Sequence, residues 1–407
     1  MRLSLPHRLW RLLPAAARRA LFARITAALA PRPDSPPPPS AGGIAIAGEL
    51  SSATGLGEAA RLIRLALEGM GVATWSLDVG DRLPGGRAPG RRMDTPPPAA
   101  PLLIHVNAPS LPWALLQLPR GLPRRRRVIA YWAWELPVLP ADWRLALPFV
   151  HEIWALSQFT ADAIATILPA QGGPLLRVVP IPVAVAPPRP SAMDRAAFGL
   201  PQNALVVLTS FNLASSFARK NPLAAIAAFR NAFGDREDRV LLMKVGHTDV
   251  FPDDLATLRA AAAGAANIRF ETRIFPAADS HALTACADIV LSLHRSEGFG
   301  LVPAEAMLLG RPVIATGWSG NLQFMDATSA ALVDFTLIPA VDPRGVFEAP
   351  GALWAEPSVP HAATLLRQLA DNPAGRVALG ERGRIMATAR LGDGPLRQAV
   401  AALGLLP

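Results

Sequence analysis

Short uninterrupted apolar runs, each about one strand long and most of them followed by a helical stretch, recur along most of the chain. Runs of this kind are strands buried on both faces, and their alternation with helices builds parallel sheets covered by helices on both sides. The first series is 43–47, Leu102 to Val106, Val128 to Tyr131, Ile153 to Leu156 and Leu176 to Pro180, with a helix from Glu58 to Met70 after its first strand. A second series is Leu205 to Ser210, Arg239 to Val245, Ile268 to Thr272, Ile289 to Leu293 and Val313 to Ala315, with Pro222 to Phe233 as its first helix. Between the two, Pro187, Pro188 and Pro190 mark a hinge.

A chain of 407 residues is long for one core and supports two. The expected organisation is a basic leader and Pro-rich linker at 1–40, a first α/β domain at 41–183, a hinge at 184–199, a second α/β domain at 200–375, and terminal helices at 376–407 that can pack back on the first domain. The lone Cys286 excludes an internal disulfide and a cysteine zinc cage, which suits a reducing compartment and the cytoplasmic side.

The net charge of +9 favours anionic partners. Six arginines and no acid lie in the first 30 residues, interleaved with Leu9, Trp10, Leu21, Phe22 and Ile25, a pattern that suits a basic helix lying on an anionic membrane at its inner face. No apolar stretch is long enough to span a bilayer. The run Arg124 to Arg127 reads as a solvated or membrane-facing patch.

The stretch most informative about chemistry is Glu297-Gly-Phe-Gly-Leu-Val-Pro-Ala-Glu305, between a strand and an apolar helix. Gly298 and Gly300 allow backbone to approach a ligand, and Pro303 suits a first helical turn, whose free N–H groups favour an anion. One carboxylate can then meet sugar hydroxyls at the loop while the other reaches further hydroxyls from the helix. Arg219 and Lys220 stand between a strand and a helix where cation charge would face a cleft, and Lys244 ends another strand. Thr54-Gly-Leu-Gly-Glu58 joins strand to helix through Gly55 and Gly57.

The 30 residues from Ala287 to Thr316 resemble the signature of family 4 (group 1) retaining glycosyltransferases. That resemblance implies the GT-B fold, in which two Rossmann-like, doubly wound parallel-sheet domains face an interdomain cleft. It also implies a metal-independent transferase without a cofactor, whose substrates are a nucleotide diphosphate sugar and a saccharide or lipid-linked acceptor, with no nucleic acid partner. Glu297 would face the transferred sugar and Glu305 the ribose. Lys220 resembles the phosphate-binding lysine, joined by Arg219, and Gly298, Phe299, Gly300, Leu301, Gly55 and Gly57 would surround the donor. The loop from Gly317 to Met325 resembles one that closes over the donor sugar, with Gly320 and Asn321 against it. His105 is expected at the cleft beside the reacting sugar, and Trp132, Trp134 and Glu135 are acceptor-side candidates, aromatic faces being good sugar platforms. The absence of an Asp-x-Asp pair fits a metal-independent reading. Two rival readings are an NAD-dependent oxidoreductase or epimerase using the Gly55 loop with Asp78, and a non-catalytic membrane-surface binding protein.

Overall fold

The computed structural model describes residues 15–52, 54–80, 93–347 and 349–406. The first part of the basic leader, 1–14, therefore lies outside the described residues. The chain forms two six-stranded sheets, each parallel throughout, and one small antiparallel hairpin.

The first sheet contains β1 (Ile44–Gly48), β2 (Thr74–Asp78), β3 (Leu102–His105), β4 (Val128–Trp132), β5 (Glu152–Ala155) and β6 (Leu175–Val178) in the order β2-β1-β3-β4-β5-β6. The second contains β7 (Leu205–Asn212), β8 (Arg239–Gly246), β9 (Ile268–Glu271), β10 (Ile289–Ser292), β11 (Val313–Thr316) and β12 (Ala331–Val333) in the order β12-β11-β10-β7-β8-β9. Read from its other edge, the second is the 3-2-1-4-5-6 order of a doubly wound nucleotide-binding sheet, and ligands in such sheets sit where the strand order reverses. That point lies between β7 and β10 in the second sheet and between β1 and β3 in the first.

All ten apolar runs become strands, most of them buried on both faces, while β6 and β9, each at the edge of its sheet, are partly exposed. The sequence reading missed β2, an edge strand whose first three residues are only half-buried and whose side chains form no apolar run. It also missed β12 and the hairpin of β13 (Phe335–Pro339) and β14 (Leu353–Pro357), which pair from Phe335↔Pro357 to Pro339↔Leu353. The helix expected from Glu58 starts at Gly55, because the Thr54 side chain accepts a hydrogen bond from Gly57 N at 3.1 Å and caps it.

Residues 359–401 are helical, in three pieces. Ala184 N, in the hinge, donates to Leu391 O at 3.0 Å. Leu396, Val400 and Leu403 share a buried cluster with Ile63, Leu67 and Ile181 of the first domain. The sheets meet through side chains as well: Ser157 Oγ of the first donates to Gly298 O of the second at 2.7 Å, and Gln158 N donates to Gln323 Oε1 at 2.8 Å.

Candidate active site

The site is built around one turn that follows β7. Ser216 and Asn221 both hold left-handed backbone, φ 71° and 50°, and bracket the single helical turn Phe217–Lys220. Left-handed backbone is costly for residues other than glycine and persists where its surroundings fix it. Here the Ser216 hydroxyl accepts from Arg219 N at 3.2 Å and donates to Asp342 Oδ1 at 3.0 Å, so the turn is clamped from outside. Arg219 and Lys220 are thereby aimed at the end of β10.

Arg219 is 2% exposed, and such a buried cation needs partners. Its Nη1 donates to Glu297 Oε2 at 3.1 Å and to Ser296 O at 2.8 Å, and its Nη2 donates to Ser215 O at 2.9 Å. Nη2 also stands 3.6 Å from Glu135 Oε1 of the first domain. Lys220 Nζ donates to Glu297 Oε1. Burial alone would raise the Glu297 carboxyl, but Lys220 and Arg219 outweigh it and hold the group at about 2, ionised at neutral pH. Burial pulls the Lys220 ammonium below its usual range, partly offset by Glu297. It pushes the Glu135 carboxyl up, against the pull of Arg219.

Two glycines let the Glu297 loop take its path. Gly300 has φ 98°, which turns the chain into the helix Leu301–Leu308. Gly320 lies under the loop: a Cβ there would come within 1.9 Å of Gly298 O, while its N–H donates to Glu297 O at 2.8 Å. The Ser319 hydroxyl accepts from Glu297 N at 2.8 Å.

These groups line a cavity of ≈ 680 Å³ between the sheets, large enough for a drug-sized or nucleotide-sized ligand. Glu297, Glu305 and Lys220 all face it, as do Arg219, Glu135, Lys244, Gly55, Gly298, Phe299, Gly300 and Leu301. On its far wall Glu305 faces Glu58 of the first domain, and burial together with that neighbour pushes the Glu305 carboxyl up to about 8. It is therefore mostly protonated at neutral pH, able to donate one hydrogen bond and accept others. Lys244 Nζ donates to Arg273 O at 2.7 Å.

Several expected contacts are not made. His105 is 1% exposed, stacked on Tyr131 with centroids 4.6 Å apart, and does not line the cavity. Burial lowers it to about 4, so it is neutral, and neither ring nitrogen has a hydrogen-bond partner among the described residues. A four-residue strand buried throughout takes its last side chain into the core. Trp132 and Trp134 are core as well: both pack edge-on against Trp143, and Trp134 Nε1 donates to Val138 O at 2.8 Å. Of the aromatic-rich segment only Ala133 and Glu135 reach the cavity. Gly57 belongs to the helix cap, and Gly320 and Asn321 are buried supports beneath the loop, Asn321 Nδ2 donating to Thr316 O at 3.1 Å. In the arginine run, Arg126 is buried and donates to the carbonyls of Pro96, Pro97 and Ala100, and Arg127 pairs with Glu152 at 2.7 Å; only Arg124 and Arg125 are the expected exposed cations.

Other contributors were not foreseen. The loop of the β13–β14 hairpin reaches over the cation turn, and Val346 and Phe347 line the cavity. Asp342, 1% exposed, accepts from Val346 N at 3.0 Å and Phe347 N at 3.1 Å while it also holds Ser216. Phe347 lies under the Arg219 guanidinium, 4.8 Å from its ring centroid, and 5.6 Å from the Trp134 ring. Nothing in the local sequence around Asp342 announces this; the contacts span more than a hundred residues.

A model of the family described as glycosyl transferases group 1 matches residues 206–355, the stretch holding the cation turn, both carboxylates and the hairpin. Over this stretch the chain is similar to the group 1 glycosyl transferases. The chain has the GT-B fold. It is similar to HepE of Anabaena solved with UDP-glucose (16% identity over 88% of this chain and 98% of that one, TM-score 0.59). It is similar also to sucrose-phosphate synthase of Thermosynechococcus elongatus (16%, 88% and 98%, TM-score 0.61) and to WaaG, a glycosyltransferase involved in lipopolysaccharide biosynthesis (16%, 88% and 99%, TM-score 0.53). No curated protein matches the chain by sequence. The matched stretch ends inside β14, so the hairpin loop that covers Arg219 falls within it.

Proposed function

We propose that the protein is a retaining, metal-independent glycosyltransferase that moves a sugar from a nucleoside diphosphate donor to a saccharide or lipid-linked acceptor in cell-surface polysaccharide synthesis. The reading includes action on the cytoplasmic side, at the membrane's inner face. The observation that carries it is the convergence of Lys220, Arg219 and Glu297 at the point where the second sheet reverses its strand order, with Glu305 lining the same cavity.

In this reading the diphosphate takes the place that Glu297 now holds against Lys220 and Arg219, and its charge is met by those cations and the first turn of Leu301–Leu308. Glu305 meets the ribose hydroxyls, and Glu297, released toward the sugar, orients its hydroxyls. Among the described residues no side chain stands as an obvious nucleophile, so in this reading the acceptor oxygen attacks on the face the diphosphate leaves. Its proton passes to the departing phosphate oxygen, and stabilising that leaving group is the main catalytic contribution. Glu135, the one charged first-domain group tied to Arg219, faces the acceptor.

The test is a thermal-shift screen of nucleoside diphosphate sugars, beginning with UDP-glucose, the donor solved with HepE. A true donor raises the melting temperature and is turned over with the anomeric configuration kept, as read by NMR of the product. An inverted product ends the retaining reading, and no stabilisation by any nucleotide sugar ends the whole proposal.

A further inference from the structure

We propose that one side of the first domain, formed by the helix Ala15–Leu29 and the loop 119–125, is a docking surface for an anionic lipid membrane. This deepens the membrane-proximal placement in the functional reading and does not depend on the donor chemistry.

The helix is held to the domain by its inner face. Ala23, Thr26 and Ala30 are buried, and Phe22 meets the Trp113 ring with centroids 5.4 Å apart. The outer face should then be polar, as on a solvated helix. Instead Leu21, Ile25 and Leu29 are 40%, 45% and 67% exposed, at the four-residue spacing that forms one row. Arg24 is exposed on the same helix, and no acidic residue occurs before Asp34.

A basic pocket adjoins the end of that helix. The linker places Asp34 against the arginine loop, Arg125 N donating to Asp34 Oδ2 at 3.0 Å, five residues after Leu29. The loop encloses a surface pocket of ≈ 290 Å³ lined by Arg120, Arg124, Arg125 and Arg126. Arg126 is consumed by backbone carbonyls, whereas Arg120, Arg124 and Arg125 are exposed and their guanidinium groups form no ion pair with a carboxylate among the described residues.

An apolar row beside unpaired arginines is complementary to a surface with acyl chains beneath anionic headgroups. Among the described residues no helix is long and apolar enough to cross a membrane, so the mode that fits is lying on the surface. The pocket lies before β4, at the opposite end of that strand from the cavity, so docking leaves the cavity mouth free.

The experiment is cosedimentation of the full chain with phosphatidylcholine vesicles, with and without phosphatidylglycerol, for the wild type and two triple variants, Leu21→Ser/Ile25→Ser/Leu29→Ser and Arg120→Glu/Arg124→Glu/Arg125→Glu. The wild type should bind only the anionic vesicles and release at high salt. The arginine variant should lose about 100-fold in partitioning, from roughly fivefold per basic residue, and the apolar variant about tenfold or more. Wild-type binding that ignores phosphatidylglycerol, or variants that bind as wild type does, would overturn the proposal. So would a vesicle-free dimer that only the apolar variant dissociates, which would make a second copy the occupant. Nucleotide-sugar melting shifts on the same samples separate the two readings: variants that keep the shift but lose vesicles fail only in docking, and a wild type that binds vesicles without any shift fails only as a transferase.

Discussion

The two sides of the cavity are made differently. The second domain presents charge: Arg219, Lys220, Glu297 and Glu305 come from two short segments, each at the end of a central strand. The first domain presents mostly glycine, alanine and aliphatic side chains, Gly55, Leu56, Ala59 and Ala133 among them, with Glu58, Arg61 and Glu135 as its charged groups, and buries its aromatic and histidine side chains behind them. A doubly charged phosphate needs cations at fixed points, and fixed points need short, rigidly clamped segments. Under the proposed function, the acceptor side would select by shape, which packing supplies.

The largest expected effect tests the packed side. Trp134→Ala removes a ring wedged between Trp143 and Phe347 and should cost about 3–5 kcal/mol of stability, read by denaturant unfolding. A loss below about 1 kcal/mol would return Trp134 to the role of sugar platform. On the charged side, Lys220→Ala and Glu297→Gln should each lower kcat by about 10²–10³, or roughly 2.7–4 kcal/mol, with the double variant little worse than either, since the pair acts as a unit. Independent, multiplying losses would separate them.

Asp342→Asn tests the clamp that spans both. It weakens one buried acceptor shared by Ser216, Val346 and Phe347, and should weaken donor binding about tenfold. Unchanged donor KM would reduce the hairpin to scaffold.

The acids on the far wall give a pH test. Glu305 holds its proton to about pH 8 in the fold, while unfolded it releases it near 4.5. The native state therefore binds the extra proton in that interval, and its contribution to stability is full below 4.5 and is lost as pH rises toward 8. Glu305→Gln should melt about 2–4 °C above wild type at pH 8, as for a gain of about 1 kcal/mol, with the gap closing by pH 5, yet bind donor more weakly. The smallest change is expected for His105→Phe. Its ring nitrogens have no hydrogen-bond partner among the described residues, so activity should stay within about twofold and the melting temperature should not fall.

Much of this was legible in the sequence. Ten strands, the division into two α/β domains, and the contiguous 297–305 stretch could be read because local apolar runs and closely spaced glycines fix them. The carboxylates and the lysine do share one cavity. What stayed hidden was non-local. β2 carries a half-buried edge pattern with no apolar run, and Asp342 gains its meaning from Ser216, 126 residues away in the chain. His105, Trp132 and Trp134 read equally as cleft or core residues for one reason: a strand's end shows where the backbone emerges, and only packing decides to which side the final ring turns. Gly320 and Asn321 were read as ligand contacts although a glycine that admits another loop's backbone has the same local appearance as one that admits a ligand.

The Phe347 ring hangs from one lobe and is buried against the other. Swinging the lobes apart would pull that plug out of its socket and wet a large aromatic side chain, at a cost of about 1.5–3 kcal/mol before any other contact breaks. Wide-open states are thus rare excursions, and under the proposed function a spent nucleotide would have to leave through a half-closed jaw.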